Sequence, residues 1–128
     1  MSARHRILVI EDDLDIAEAM LDVLMDDGYE VAHASNGREA LELLHSEPSP
    51  SVILLDLMMP EMDGAQFREA QLSDPKLAQI PVIVLSADRK VAEKARELGV
   101  QAFLVKPLGP EQLLAIVDQA QRGQLSVA

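Results

Sequence analysis

The chain has 128 residues, 48% hydrophobic and 26% charged, which suits one globular unit; with no Trp, one Tyr and two Phe, its core must be aliphatic. A net charge of −11 argues against direct contact with nucleic acid, whose phosphates are met by Lys and Arg. The absence of cysteine excludes disulfides and thiolate metal sites, and "ILVI" after Arg6 is too short for a signal-peptide core or a membrane span, so a cytoplasmic protein without membrane attachment is expected.

In chain order, "RILVI" at 6–10 is a continuous apolar segment, the pattern of a strand buried on both faces. Over 14–27 the period changes: Ala17, Met20, Leu21 and Leu24 form one helical stripe, and Gly28 stands where a C-terminal cap belongs. "YEVAHA" at 29–34 reads as an edge strand. Asn36 with Glu39 resembles a capping box that opens a helix over 37–46. The prolines and serines of "EPSPS" at 47–51 mark a loop, "VILLD" at 52–56 is a third buried strand, and 64–72 is a short helix. "IPVIVLS" at 80–86 is a fourth strand, with Pro81 tolerable only near its start. Residues 90–98 form a helix stopped by Gly99, and "QAFLV" at 101–105 makes a fifth strand. Gly109-Pro110 opens the last helix, whose buried stripe is Leu113, Ile116, Val117 and Ala120.

Five strands and five helices in strict alternation predict an α/β fold: a parallel sheet, right-handed crossovers and helices on both faces. The connections are short, so a single domain is expected over 1–128, with its core at about 5–122 and a frayed tail at 123–128.

Four strands run into residues that can do chemistry. The first leads into Glu11-Asp12-Asp13, the third ends in Asp56, the fourth in Ser86, and the fifth leads into Lys106-Pro107. In an open parallel sheet the carboxyl ends of the strands border the ligand crevice, so these residues are expected to converge. Carboxylates sharing a crevice stay ionised together only beside a cation, and hard oxygen donors with room for water suit Mg2+ or Mn2+. With the metal and Lys106 neutralising an incoming phosphoryl group, an aspartate can act as nucleophile and form an acyl phosphate, while Ser86 offers a hydroxyl to a phosphoryl oxygen. Asp13 is read as the cap of the first helix. His5, His33 and His45 lie far apart in the pattern and are given no catalytic role.

Through "ILVIEDD", "DLMMPEMDG", "VIVLSA" and "FLVKP", in that order, the chain resembles the receiver domain of two-component response regulators over about residues 5–122. The resemblance implies a flavodoxin-like (βα)5 fold with strand order 2-1-3-4-5. It implies Asp56 as phosphoacceptor, Asp12 as direct Mg2+ ligand, Glu11 acting through water, and the Met58 backbone carbonyl as a further ligand. Ser86 would be the switch hydroxyl and Lys106 the phosphate contact. Phe103 stands at the family's aromatic switch position, although a plain core role fits it equally, and Pro107 would be cis.

Met58 and Asp88, two residues beyond Asp56 and Ser86, would flank the attacking water and set the acyl-phosphate lifetime. A histidine kinase or histidine phosphotransfer protein would donate the phosphoryl group. The output would be a protein contact of a monomer or weak dimer at the face of the fourth helix, fifth strand and fifth helix, with Arg89, Lys90, Lys94 and Arg96 forming part of it. Two departures stand out: the Ser86-to-Lys106 stretch is shorter than usual, and Leu108 replaces a common aromatic. The chain would be no enzyme beyond its own phosphorylation and dephosphorylation. A competing reading is a phosphorylation-independent binding module with a vestigial site. A Mg2+-dependent aspartyl phosphatase would need a second acid where Met58 stands, and a dinucleotide-binding domain would need glycines that "EDDLDI" lacks.

Overall fold

Strands β3 (Val52–Asp56) and β4 (Val82–Ser86) are buried at every position, which explains why both read as unbroken apolar runs. In the computed structural model, which describes residues 5–57, 64–87, 90–100, 102–106 and 109–123, they lie inside a five-stranded parallel sheet. The other strands are β1 (Arg6–Ile10), β2 (Glu30–Ala34) and β5 (Ala102–Val105), and the order is β2-β1-β3-β4-β5, the flavodoxin-like arrangement expected. The order reverses between β1 and β3, so a crevice opens beyond their carboxyl ends.

Alternate residues of the strands build two cores. Leu8, Ile10, Ile53, Leu55, Val82 and Val84 pack beneath α2 (Gly37–Ser46), α3 (Gly64–Leu72) and α5 (Val91–Leu98), through Leu44, Phe67, Val91 and Ala95. Ile7, Val9, Val52, Leu54, Ile83 and Leu85 face α1 (Leu14–Asp26) and α6 (Pro110–Gln121), through Met20, Leu24, Leu113 and Val117. A strand's period of two makes this division automatic once both faces are covered. No helix among the described residues is long and apolar enough to cross a membrane.

The helix starts follow their capping chemistry. Asp13 Oδ1 accepts the amides of Asp15 and Ile16, at 3.0 and 3.2 Å, as expected of a cap. Asn36 Oδ1 accepts the Glu39 amide at 2.9 Å; Glu39 returns its own bond to Ser35, one residue earlier than the standard box. A sixth helix corrects the expected strict alternation: α4 (Pro75–Ala78) lies between α3 and β4. Its signal was present in Asp74-Pro75, since Asp74 caps the Lys76 amide and Pro75 takes the first turn.

Away from the strand ends, α3 buries two polar residues, Arg68 and Gln71, in this aliphatic fold. The buried stripe of α3 runs through Gly64, Phe67, Arg68 and Gln71. Arg68 donates from Nε to the Leu98 carbonyl at 2.9 Å, from Nη2 to the Gly99 carbonyl at 2.8 Å, and from Nη1 to Gln71 Oε1 at 2.8 Å. Gln71 Nε2 in turn reaches the carbonyls of Leu77 and Ile80.

Candidate metal and phosphoryl site

β1 and β3 pair in register, Ile10 beside Leu55, so the residues that follow them, Glu11 and Asp56, emerge side by side at the reversal point. Glu11 is held at four points. Its amide donates to the Ala34 carbonyl at 3.0 Å, and its own carbonyl lies 2.8 Å from His33 Nε2. Oε2 accepts the Asp13 amide at 3.3 Å and Oε1 accepts Lys106 Nζ at 2.7 Å. Glu11 and Asp56 are 1% and 4% exposed, whereas Asp12 faces solvent.

Carboxylate oxygens of Glu11, Asp12 and Asp56 all lie within 4.8 Å of one another. Lys106 Nζ is 3.6 Å from Asp56 Oδ1, nearer to Glu11 than to Asp56. Burial pushes the Lys106 ammonium down, but its hydrogen bond to the Glu11 carboxylate and the charges of Asp56 and Glu11 outweigh it and raise its pKa from the ordinary lysine value of 10.5. Three carboxylates around one lysine leave an excess of negative charge that a dication fits, and hard oxygen donors of this kind suit Mg2+.

Ser86, 3% exposed, ends β4, and its carbonyl accepts the Lys106 amide at 2.8 Å, which ties the last residues of β4 and β5 to the same edge. Phe103 is half-buried and packs against the core cluster containing Val84 and Val91. Lys90, at the N-cap of α5, and Lys94 and Arg96 within it are exposed. Met58, Asp88, Arg89, Pro107 and Leu108 lie outside the described residues. Sequence reasoning brought Glu11, Asp12, Asp56 and Lys106 to one place, but missed the Glu11–Lys106 pair and the nearness of His33. The signal for His33 was its place one residue before the end of β2, opposite Val9.

The chain matches the family described as response regulator receiver domain over residues 7–118, and it belongs to that family. It is similar to the transcriptional regulatory protein PdtaR of Mycobacterium tuberculosis, 33% identical over 91% of this chain and 56% of that protein. It is also similar to the response regulator MprA of Mycolicibacterium vanbaalenii, 39% identical over 86% of this chain and 47% of that protein. The chain thus spans about half the length of these curated relatives. Among solved structures, the chemotaxis protein CheY4 of Vibrio cholerae superposes with a TM-score of 0.85 at 30% identity, covering 92% of this chain and 99% of that one. The receiver domain of a signal transduction histidine kinase from Syntrophus aciditrophicus gives 0.84 at 35% identity, covering 93% and 91%. Receiver domains are signalling switches of two-component systems.

Proposed function

We propose that this chain, folded as one receiver unit in the cytoplasm, is a phospho-accepting switch whose acceptor is Asp56. The observation that carries this reading is a buried aspartate at the end of β3 with two further carboxylates and a lysine ammonium around it. The donor is a phosphohistidine of a histidine kinase or a histidine phosphotransfer protein. An Asp56 carboxylate oxygen attacks phosphorus as the bond to the donor's imidazole nitrogen breaks. That nitrogen keeps the electron pair, and Asp56 becomes an acyl phosphate.

Glu11, Asp12 and Asp56 would hold Mg2+, which supplies charge neutralisation for the phosphoryl oxygens, and the resemblance adds the Met58 carbonyl to that set. Lys106 contributes the fixed positive charge of this chain. Ser86 stands at the neighbouring strand end, where its hydroxyl can donate to a phosphoryl oxygen. Its movement would make room for Phe103 and bias an existing equilibrium of the α5–β5–α6 face towards an output protein, with the basic residues of α5 part of that contact. Hydrolysis by water returns Asp56 to the carboxylate, with Met58 and Asp88 flanking the water's path.

The test is intact-mass spectrometry after incubation with Mg2+ and acetyl phosphate, comparing the wild type with Asp56→Asn. One added phosphoryl group in the wild type alone is expected. No adduct in either protein, with Mg2+ binding shown separately, would instead favour a module that binds its partner without phosphorylation.

A further inference from the structure

Glu11 stands one residue past the last registered pair of β1 and β2, Ile10 with Ala34. Its amide still makes a ladder bond, to the Ala34 carbonyl at 3.0 Å. In a parallel ladder the carbonyl of such a residue faces the same neighbouring strand and takes its next rung from that strand's backbone. The residue that would supply this rung, Asn36, already caps α2. The Glu11 carbonyl is met instead by a side chain, His33 Nε2 at 2.8 Å. A carbonyl oxygen can only accept, so Nε2 carries the hydrogen of this bond. His33 reaches it half-buried, from the sheet face that it shares with Val31, two residues earlier in β2.

The carbonyl that His33 holds belongs to the peptide unit between Glu11 and Asp12, two of the three carboxylates that converge on the crevice. That unit is planar, so a fixed carbonyl also fixes the Asp12 amide and the direction in which Asp12 leaves it. The two acids depend on it unequally. The Glu11 carboxylate is buried and keeps two bonds of its own, from the Asp13 amide at 3.3 Å and from Lys106 Nζ at 2.7 Å. Asp12 faces solvent, and among the described residues its carboxylate receives no hydrogen bond. Its side chain is therefore aimed through the backbone. On one side that backbone leads into Asp13, tied to α1 by its capping bonds; on the other it has the bond from His33.

We infer that His33 is a positioning residue of the metal site: by donating from Nε2 to the Glu11 carbonyl, it locks the Glu11–Asp12 peptide and so presents the Asp12 carboxylate to a dication. That role rests on the proposed function and its Mg2+ set of Glu11, Asp12 and Asp56. It gives His33 no contact with the metal or the phosphoryl group. Outer partners of metal ligands typically set affinity by about tenfold or more.

The test separates the hydrogen bond from the bulk of the ring. His33→Leu keeps an apolar body and removes the donor, while His33→Gln restores an N–H at about the reach of Nε2. Mg2+ is titrated into the metal-free proteins and followed by NMR amide shifts. Before any Mg2+ is added, the backbone order parameter of the Asp12 amide reports on the peptide unit itself. In His33→Leu the Mg2+ Kd is expected to rise about tenfold, and the order parameter to fall from about 0.85 towards about 0.6. His33→Gln stays within about twofold of the wild-type Kd and keeps the amide ordered. Made in Asp12→Asn, which retains an oxygen donor without the charge, His33→Leu costs less than about twofold more, because the ligand that His33 aims is already impaired.

An unchanged Kd in His33→Leu, an equal loss in His33→Gln, or a full tenfold loss in the Asp12→Asn background overturns the assignment. A wild type that binds no Mg2+ removes the metal reading and the role of His33 with it. Mg2+ binding without an adduct from acetyl phosphate removes the proposed phosphorylation and leaves the role of His33 standing.

Discussion

Replacing Asp56 by asparagine is expected to stabilise this fold when no dication is present. Asp56 is 4% exposed, with carboxylate oxygens of Glu11 and Asp12 within 4.8 Å and Lys106 Nζ at 3.6 Å. At an effective dielectric of about 20, the lysine attracts by about 5 kcal/mol and each carboxylate at the outer distance repels by about 3.5 kcal/mol. Asp12 faces solvent, which roughly halves its share, so repulsion and attraction nearly cancel. What remains is the burial of an ionised carboxylate, which the isosteric amide largely avoids; after loss of some hydrogen-bond strength, a gain of about 1–2 kcal/mol is left. For a chain of this size that raises Tm by about 3–8 °C. Differential scanning calorimetry at neutral pH in a chelator measures it, and repetition in saturating Mg2+ completes the argument. The wild type then gains stability by binding the ion, while Asp56→Asn, with a ligand lost, gains little. If the variant melts at or below the wild type in chelator, the fold balances these charges without a metal and the reasoning fails. Equal Mg2+ shifts in both proteins would show that Asp56 does not hold the ion.

Lys106, held above 10.5, contributes its ion-pair stability fully below the unfolded lysine pKa and loses it as pH rises through the folded value; side-chain NMR titration reads that value directly. Glu11→Gln should move it downwards, since both the closest hydrogen bond and one of the two charges weaken. Gly64→Ala should destabilise by about 2 kcal/mol, because the new methyl lies 2.8 Å from Leu57 Cδ2 and 2.9 Å from Leu57 Cα and the backbone must give; urea unfolding tests this, and an unchanged midpoint would show that α3 shifts freely. Met58→Asn is expected to change the decay rate of the Asp56 acyl phosphate without preventing its formation, measured as loss of the mass adduct with time. An unchanged decay removes Met58 from the water's path.

The fold was legible because its strands are buried on both faces and its helices are not. Runs such as "VILLD" and "VIVLS" carry no alternation, whereas α1 shows Ala17, Met20 and Leu24 on one stripe, and the two patterns cannot be mistaken for each other. What escaped was short or polar. α4 has four residues, too few for a periodic stripe, and only its cap announced it. Arg68 and Gln71 are polar, so an apolar stripe does not mark them, yet they share the buried side of α3 with Gly64 and Phe67.

The site divides along the same line. Strand polarity alone sends Glu11, Asp56, Ser86 and Lys106 to one edge, because every parallel strand delivers its last residue to the same side. Which carboxylate the lysine meets first is decided by side-chain reach, and sequence pattern does not encode it. Glu11 carries one methylene more than an aspartate and is fixed at its amide, its carbonyl and both carboxylate oxygens, so it receives Lys106 at 2.7 Å while Asp56 lies at 3.6 Å. The lysine that makes a buried Asp56 tolerable is therefore shared, and the negative charge it leaves uncompensated is what makes the crevice attractive to a dication.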